Sequence, residues 1–141
     1  MSGFLLDTNC ISELVRSRPE PRVLEWMEAA DESLLYISVL TLGEIRKRVA
    51  GLPQGKRQTQ LEMWLELDLQ ARFSGRILAI DALIADRWGL MAAEAKRKGW
   101  ALSAIDGLLA ATALQHNLTI VSRNTSDFTH TRVPTLNPWE V

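Results

Sequence analysis

Only one cysteine, Cys10, occurs in 141 residues, so neither an internal disulfide nor a Cys-only metal site can form. Histidine is almost as scarce: His116 and His130 stand apart, in no metal-ligand or nucleophile spacing, which leaves zinc without its preferred ligands. No apolar run approaches the roughly 18 to 20 residues that span a bilayer, and Met1-Ser2-Gly3 lacks the basic region and apolar core of a secretory signal. The expectation is a cytoplasmic protein with no membrane segment, in which the acceptor-like tripeptide Asn117-Leu118-Thr119 has no use as a glycosylation site. Net charge is low as well. A formal value of -1 excludes a protein that holds phosphates through a large overall positive field, though not one with a local basic patch.

What is present is ordinary globular composition, 47% hydrophobic and 23% charged with both signs mixed. The length fits a single domain, residues 1–141, with a packed core. No repeat, low-complexity tract or linker interrupts it.

Apolar runs alternate with helical patterns along the chain. Phe4-Leu5-Leu6 meets Asp7-Thr8-Asn9 and then Ile11, Leu14 and Val15 at helical spacing, which predicts strand, turn and helix. Pro21 suits the first position of a helix carrying Val23, Trp26, Met27 and Ala30 on one face. A strand over Leu34 to Ile37 precedes a helix that Thr41 can cap and that carries Ile45 and Val49. A helix over Lys56 to Phe73 has an apolar face wider than one core stripe, which leaves surface for a partner. A strand at Ile77 to Ile80 is followed by a helix from Ala82 to Lys98, then by one opened by Ser103, a strand at Leu118 to Val121, and a tail with a last short strand near Pro134-Thr135-Leu136. Such alternation predicts an α/β fold around a mostly parallel central sheet flanked by helices, because parallel strands need crossover connections.

Thr41-x-x-Glu44, Ser103-x-x-Asp106 and Asn124-x-x-Asp127 each have the form of a capping pair, and Asp7 can be an N-cap. Taken singly, each acid reads as a cap. Taken jointly they read differently, because in a parallel sheet the strand-to-helix junctions share one edge. Asp7 follows the first strand, Glu44 lies early in the helix after the second, and Asp127 follows the last; Asp106 has no obvious strand before it. Carboxylates brought together repel one another unless a cation intervenes. Oxygen-only ligation selects Mg²⁺ or Mn²⁺, and the chemistry such a site performs best is phosphodiester hydrolysis.

Leu6-Asp7-Thr8-Asn9-Cys10-Ile11-Ser12-Glu13-Leu14 resembles the opening motif of PIN-domain proteins. Thr41-Leu42-Gly43-Glu44-Ile45 resembles their second motif, Ala104-Ile105-Asp106-Gly107-Leu108-Leu109 with Ala110-Ala111-Thr112-Ala113 their third, and Val121-Ser122-Arg123-Asn124 with Asp127-Phe128 their last. The subgroup most similar is that of the VapC/FitB-like toxins of bacterial type II toxin–antitoxin pairs. The resemblance implies a PIN-like fold and a Mg²⁺- or Mn²⁺-dependent endoribonuclease. It also implies a homodimer held inactive by a cognate antitoxin, with promoter DNA reached only through that antitoxin. Carried over to this sequence, the catalytic acids are Asp7, Glu44 and Asp106, with Asp7 and Asp106 on the metal, Asp127 as an auxiliary acid, and Asn9, Ser122 and Asn124 as polar supports. Many relatives carry Asp where this chain has Asn124, so either Asp127 supplies the charge or the site works with three acids and an amide.

Of the basic residues near Glu44, Arg46 is a candidate RNA contact, and Arg123, beside the last motif, is the stronger one. Lys47, Arg48, Lys56 and Arg57 read as a solvated face, and the five tryptophans as core or interface packing rather than base-stacking platforms. Asp81 and Asp86 suit a helix start, and Cys10 is a small packing residue. A haloacid-dehalogenase-like phosphatase needs a second Asp where Asn9 stands, and a receiver domain needs a Lys after the last strand; both are missing. The alternative from another class is a catalytically inactive PIN-like module that binds RNA or protein.

Overall fold

The computed structural model describes residues 2–141. Five strands form one sheet: β1 (Phe4–Leu6), β2 (Leu35–Ser38), β3 (Ile77–Leu78), β4 (Thr119–Val121) and β5 (Thr135–Leu136), in the order β3-β2-β1-β4-β5. Every neighbouring pair is parallel. The connections are helical: α1 (Thr8–Glu13), α2 (Pro21–Ala29), α3 (Val39–Ala50), α4 (Lys56–Met63), α5 (Gln70–Arg72), α6 (Ala82–Lys98) and α7 (Ala104–Gln115). The fold is the expected α/β architecture, and the sheet is parallel throughout rather than mostly so.

Strand periodicity sorts the core onto the two faces of the sheet. Leu6, Leu35, Ile37 and Val121 point to one side, where they pack with Ile11, Val23, Ile45, Val49, Leu69 and Phe73. Leu5 and Ile120 point to the other, against Leu109, Ala110, Ala113 and Phe128. The small residues of α7 bring it close to its neighbours, and Gly107 is the tightest point: a Cβ there would stand 2.8 Å from Trp88 Cδ1. Among the described residues no helix is long and apolar enough to cross a membrane.

Three local readings need correction. Ser38, not Thr41, caps α3: its hydroxyl accepts from Leu40 N at 3.0 Å, so the helix starts earlier and Thr41 is buried within it. The side chain of Asn124 caps nothing, and Asp127 N instead donates to the Asn124 carbonyl at the head of a 3₁₀ turn, Thr125–Thr131. Finally, Lys56 to Phe73 is not one regular helix, because a π stretch, Trp64–Leu69, separates α4 from α5. The cause is legible in the spacing of Leu61, Leu65, Leu69 and Phe73, which recur every four residues. An α-helix drifts by about 40° over that interval. The wider π turn takes the drift back, so Leu65, Leu69 and Phe73 all reach the core while Met63 and Leu67 stay 56% and 61% exposed.

Candidate active site

The sheet order reverses at β1, which has β2 on one side and β4 on the other. The connections leaving β1 and β4 run to opposite sides of the strand order, and the carboxyl edge at such a reversal is the usual ligand site of parallel sheets. Asp7 leaves β1 there, with its backbone N–H still bonded to the Val121 carbonyl of β4 at 2.9 Å. Glu44 approaches from the second turn of α3. Asp106 arrives by a different route. A helix feeding a parallel strand runs opposite to it, so α7, which leads into β4, begins at the same carboxyl edge.

A hydrogen-bond network fixes these groups. Asp7 caps α1, with Oδ1 accepting from Thr8 N at 2.8 Å, while Oδ2 accepts from Ser122 Oγ at 2.8 Å. Ser122 Oγ in turn accepts from Asn9 Nδ2 at 3.2 Å and from Asn124 N at 3.0 Å. Asn9 Oδ1 accepts from Arg123 N at 3.3 Å, so the loops after β1 and β4 are stitched together through Asn9 and the fully buried Ser122. Across the crevice the buried Thr8 hydroxyl donates to Glu44 Oε1 at 2.5 Å and lies 3.2 Å from Thr41 Oγ1. One Asp7 side chain thus caps α1 and bonds Ser122 of the loop after β4.

The acids feel one another. Burial raises the Asp7 carboxyl above its ordinary pKa, and the charges of Asp106 and Glu44 add to that against the lowering effect of Ser122 and Thr8. Asp106 is also raised by burial, offset in part by Ser103, with Asp127 and Glu44 adding repulsion. Asp7, Glu44 and Asp106 are half-buried, whereas Asp127 is exposed on the 3₁₀ turn at the outer side of the crevice. Among the described residues no group of three or more His, Cys, Asp or Glu side chains is placed to hold a metal ion. The donor set is all oxygen, and a cation would relieve the repulsion that raises Asp7 and Asp106.

The remaining candidates lie as follows. Arg123 is exposed, with its guanidinium 5.6 Å from the centroid of Trp139. Arg46 is paired with Glu66 at 2.8 Å. Arg48 bonds Ser12 Oγ and Arg57 the Val15 carbonyl, so these two fasten the α1 end rather than forming an open edge. Asp81 caps α6 through Ile84 N. Cys10 Sγ donates to the Val121 carbonyl, and burial pushes its thiol pKa up, as a packing residue requires. Sequence reasoning missed Thr8, because its contact with Glu44 spans 36 positions that no local pattern connects. It also missed the pairing of His130 with Trp100, whose rings stack at 4.2 Å.

Fold and site together define a class: parallel α/β proteins with an acidic crevice at the topological switch point. The chain belongs to the PIN-domain family, whose profile matches residues 4–134. It is 40% identical over 136 residues to Toxin FitB of Neisseria gonorrhoeae, covering 96% of this chain and 98% of that protein. It is 37% identical over 137 residues to VapC ribonuclease Y4jK of Sinorhizobium fredii, covering 97% and 98% respectively. A solved structure of FitAB bound to an IR36 DNA fragment superposes with a TM-score of 0.92 at 38% identity, covering 98% of this chain and 96% of that one.

Proposed function

We propose that this protein is a Mg²⁺- or Mn²⁺-dependent endoribonuclease acting as the toxin of a type II toxin–antitoxin pair. The observation that carries the reading is that Asp7, Glu44 and Asp106 lie near enough for their charges to act on one another, with Asp7 held by Ser122 and Glu44 by Thr8. Asp7 and Asp106 are the metal-holding residues. When bound there, the cation supplies neutralising charge and Lewis acidity toward a phosphate oxygen. Glu44 has one oxygen fixed by Thr8, and its other oxygen has no protein partner among the described hydrogen bonds, which leaves it to accept a proton from an attacking water. Ser122 and Asn9 hold Asp7 against movement, and Asn124 contributes its backbone N–H to that support. Asp127 acts as an auxiliary charge beside Asp106. Arg123, exposed next to this network, and Arg46, once released from Glu66, are the candidate RNA contacts.

The relatives support a partner reading: one is named a toxin, one a ribonuclease, and one structure holds FitAB on DNA. For this chain we infer a cognate antitoxin, contact with promoter DNA only through it, cytoplasmic residence, and a homodimer that covers the exposed Met63 and Leu67. The inactive-module alternative rests on the uncharged Asn124. Incubating antitoxin-free protein with total RNA and mapping the new ends separates the two readings. Discrete cuts that need Mg²⁺ or Mn²⁺ and vanish with EDTA support the nuclease. Intact RNA at every metal concentration supports the module.

A further inference from the structure

The acidic crevice has a lip of opposite character. Helix α6 ends in Lys96, Arg97 and Lys98, and Gly99, in the left-handed conformation at φ 70°, turns the chain so that Trp100 N bonds back to the Ala95 carbonyl at 2.9 Å. That cap fixes Trp100 in place. Its ring stacks on His130 with centroids 4.2 Å apart and an interplanar angle of 8°, and Lys98 Nζ lies 4.8 Å from the Trp100 centroid. Trp100 is half-buried and His130 exposed, so the stack presents its imidazole end to solvent. Lys98 also pairs with Glu94 at 3.0 Å; Arg97 precedes it in the last turn of α6, and Arg132 ends the 3₁₀ turn that carries His130. Trp100, His130, Ser126, Asp127 and the Lys98-paired Glu94 are among the residues lining one narrow cleft. Its interior is about 30 Å³, room for a water and not for a nucleobase, so a base would lie across the mouth.

From this juxtaposition of a solvent-facing Trp100–His130 stack with Arg97, Lys98 and Arg132 beside Asp127, we propose a binding subsite for single-stranded RNA. A base stacks on His130, and the backbone next to it is held by Arg132 and Arg97, on the Asp127 side of the acids. Aromatic platforms interleaved with cations bind single strands in this way, since every base offers a π-face and every nucleotide a phosphate. A basic helix end also complements the helix dipole, but the dipole accounts for neither Arg132 nor the exposed stacked imidazole. The inference rests on RNA being the substrate, and the test separates the two.

A labelled single-stranded oligoribonucleotide of mixed sequence is titrated with the full chain in EDTA at low salt, where no cleavage occurs, and followed by anisotropy. His130→Ala and Arg132→Gln alter exposed side chains, and circular dichroism checks their folding. Each is expected to weaken binding by about five- to tenfold. Arg132→Gln is also expected to shrink the slope of log K against log salt by about 0.7, the share of one phosphate contact on a single strand. Binding by both folded variants with wild-type affinity and slope, or no binding by wild type, overturns the subsite. A parallel cleavage assay in Mn²⁺ keeps the readings apart. Wild type that binds through His130 but never cuts removes the nuclease and leaves the subsite, and cutting without any His130 effect on binding does the reverse.

Discussion

The hydroxyl of Thr8, the first residue of α1, reaches across the crevice to Glu44 of α3 at 2.5 Å, so one threonine sets the position of an acid 36 residues away. Thr8 is buried, and its removal leaves a half-buried carboxylate without its donor. Thr8→Val is expected to cost about 1–2 kcal/mol of stability and to lower the cleavage rate about 10- to 100-fold, with Thr8→Ser restoring most of both. Urea unfolding and kcat on a mapped RNA substrate measure the two effects.

Ser122 occupies the matching place on the other side, donating to Asp7 while accepting from Asn9 and Asn124. Ser122→Ala leaves the Asn9 amide and the Asn124 N–H without that acceptor and frees Asp7 to rotate. The expected result is weaker Mn²⁺ binding, by roughly tenfold, read by calorimetry.

The pH dependence follows from Asp7. Burial, with help from Asp106 and Glu44, raises its pKa in the folded state, so between the ordinary and the raised value the folded protein holds a proton that the unfolded chain has released. Its contribution to stability is present below the ordinary carboxylate value and is lost as pH rises through the raised one. In EDTA at neutral pH, Asp7→Asn is therefore expected to melt higher than wild type, with the difference closing in acid. Saturating Mg²⁺ or Mn²⁺ is expected to restore wild type, by about 2.7 kcal/mol at one hundred times Kd, and to leave the variant unchanged. Thermal melts across pH, with and without metal, check each part.

Gly107 follows Asp106 directly, and a Cβ there would press on Trp88 of α6 at 2.8 Å. Gly107→Ala is expected to destabilise by about 1–3 kcal/mol, because an indole packed between helices cannot step aside as a flexible chain end can. A thermal melt beside wild type measures it.

Leu67 is 61% exposed on the outer side of the π stretch, in line with Met63. If this face is the dimer interface, Leu67→Glu yields a monomer by sedimentation at concentrations where wild type is dimeric. An unchanged sedimentation coefficient shows that this face makes no dimer contact.

The parts of the fold that follow local rules were legible in the sequence. Pro21 and Ala82 start their helices where expected, Gly99 ends one, and the alternation of Leu5 with Leu6 gives the sheet its two faces. Asp7 was readable because a strand end and a helix cap coincide there. Asp106 was harder, since it reaches the crevice from a helix that precedes its strand rather than following one. Ser38 was overlooked as a cap because Thr41-x-x-Glu44 imitates a capping box, whereas the hydroxyl of Thr41 faces Thr8. The π stretch escaped because the sequence reading took the apolar width of Lys56 to Phe73 as surface for a partner and did not follow the four-residue spacing of Leu61, Leu65, Leu69 and Phe73. Contacts such as Thr8 with Glu44 and Trp100 with His130 join distant segments, and only the packed chain brings them together.

The most direct test of the acid-site assignment uses Asp7→Asn, which keeps the shape of the side chain and groups able to bond Thr8 N and Ser122. Wild type and variant, both shown to be folded by melting, are incubated with the same RNA in Mn²⁺ and the products resolved by sequencing. Metal-dependent cuts by wild type and none by an equally or more stable variant are the predicted result. Cutting by Asp7→Asn at a wild-type rate would contradict it and return Asp7 to the role of a helix cap.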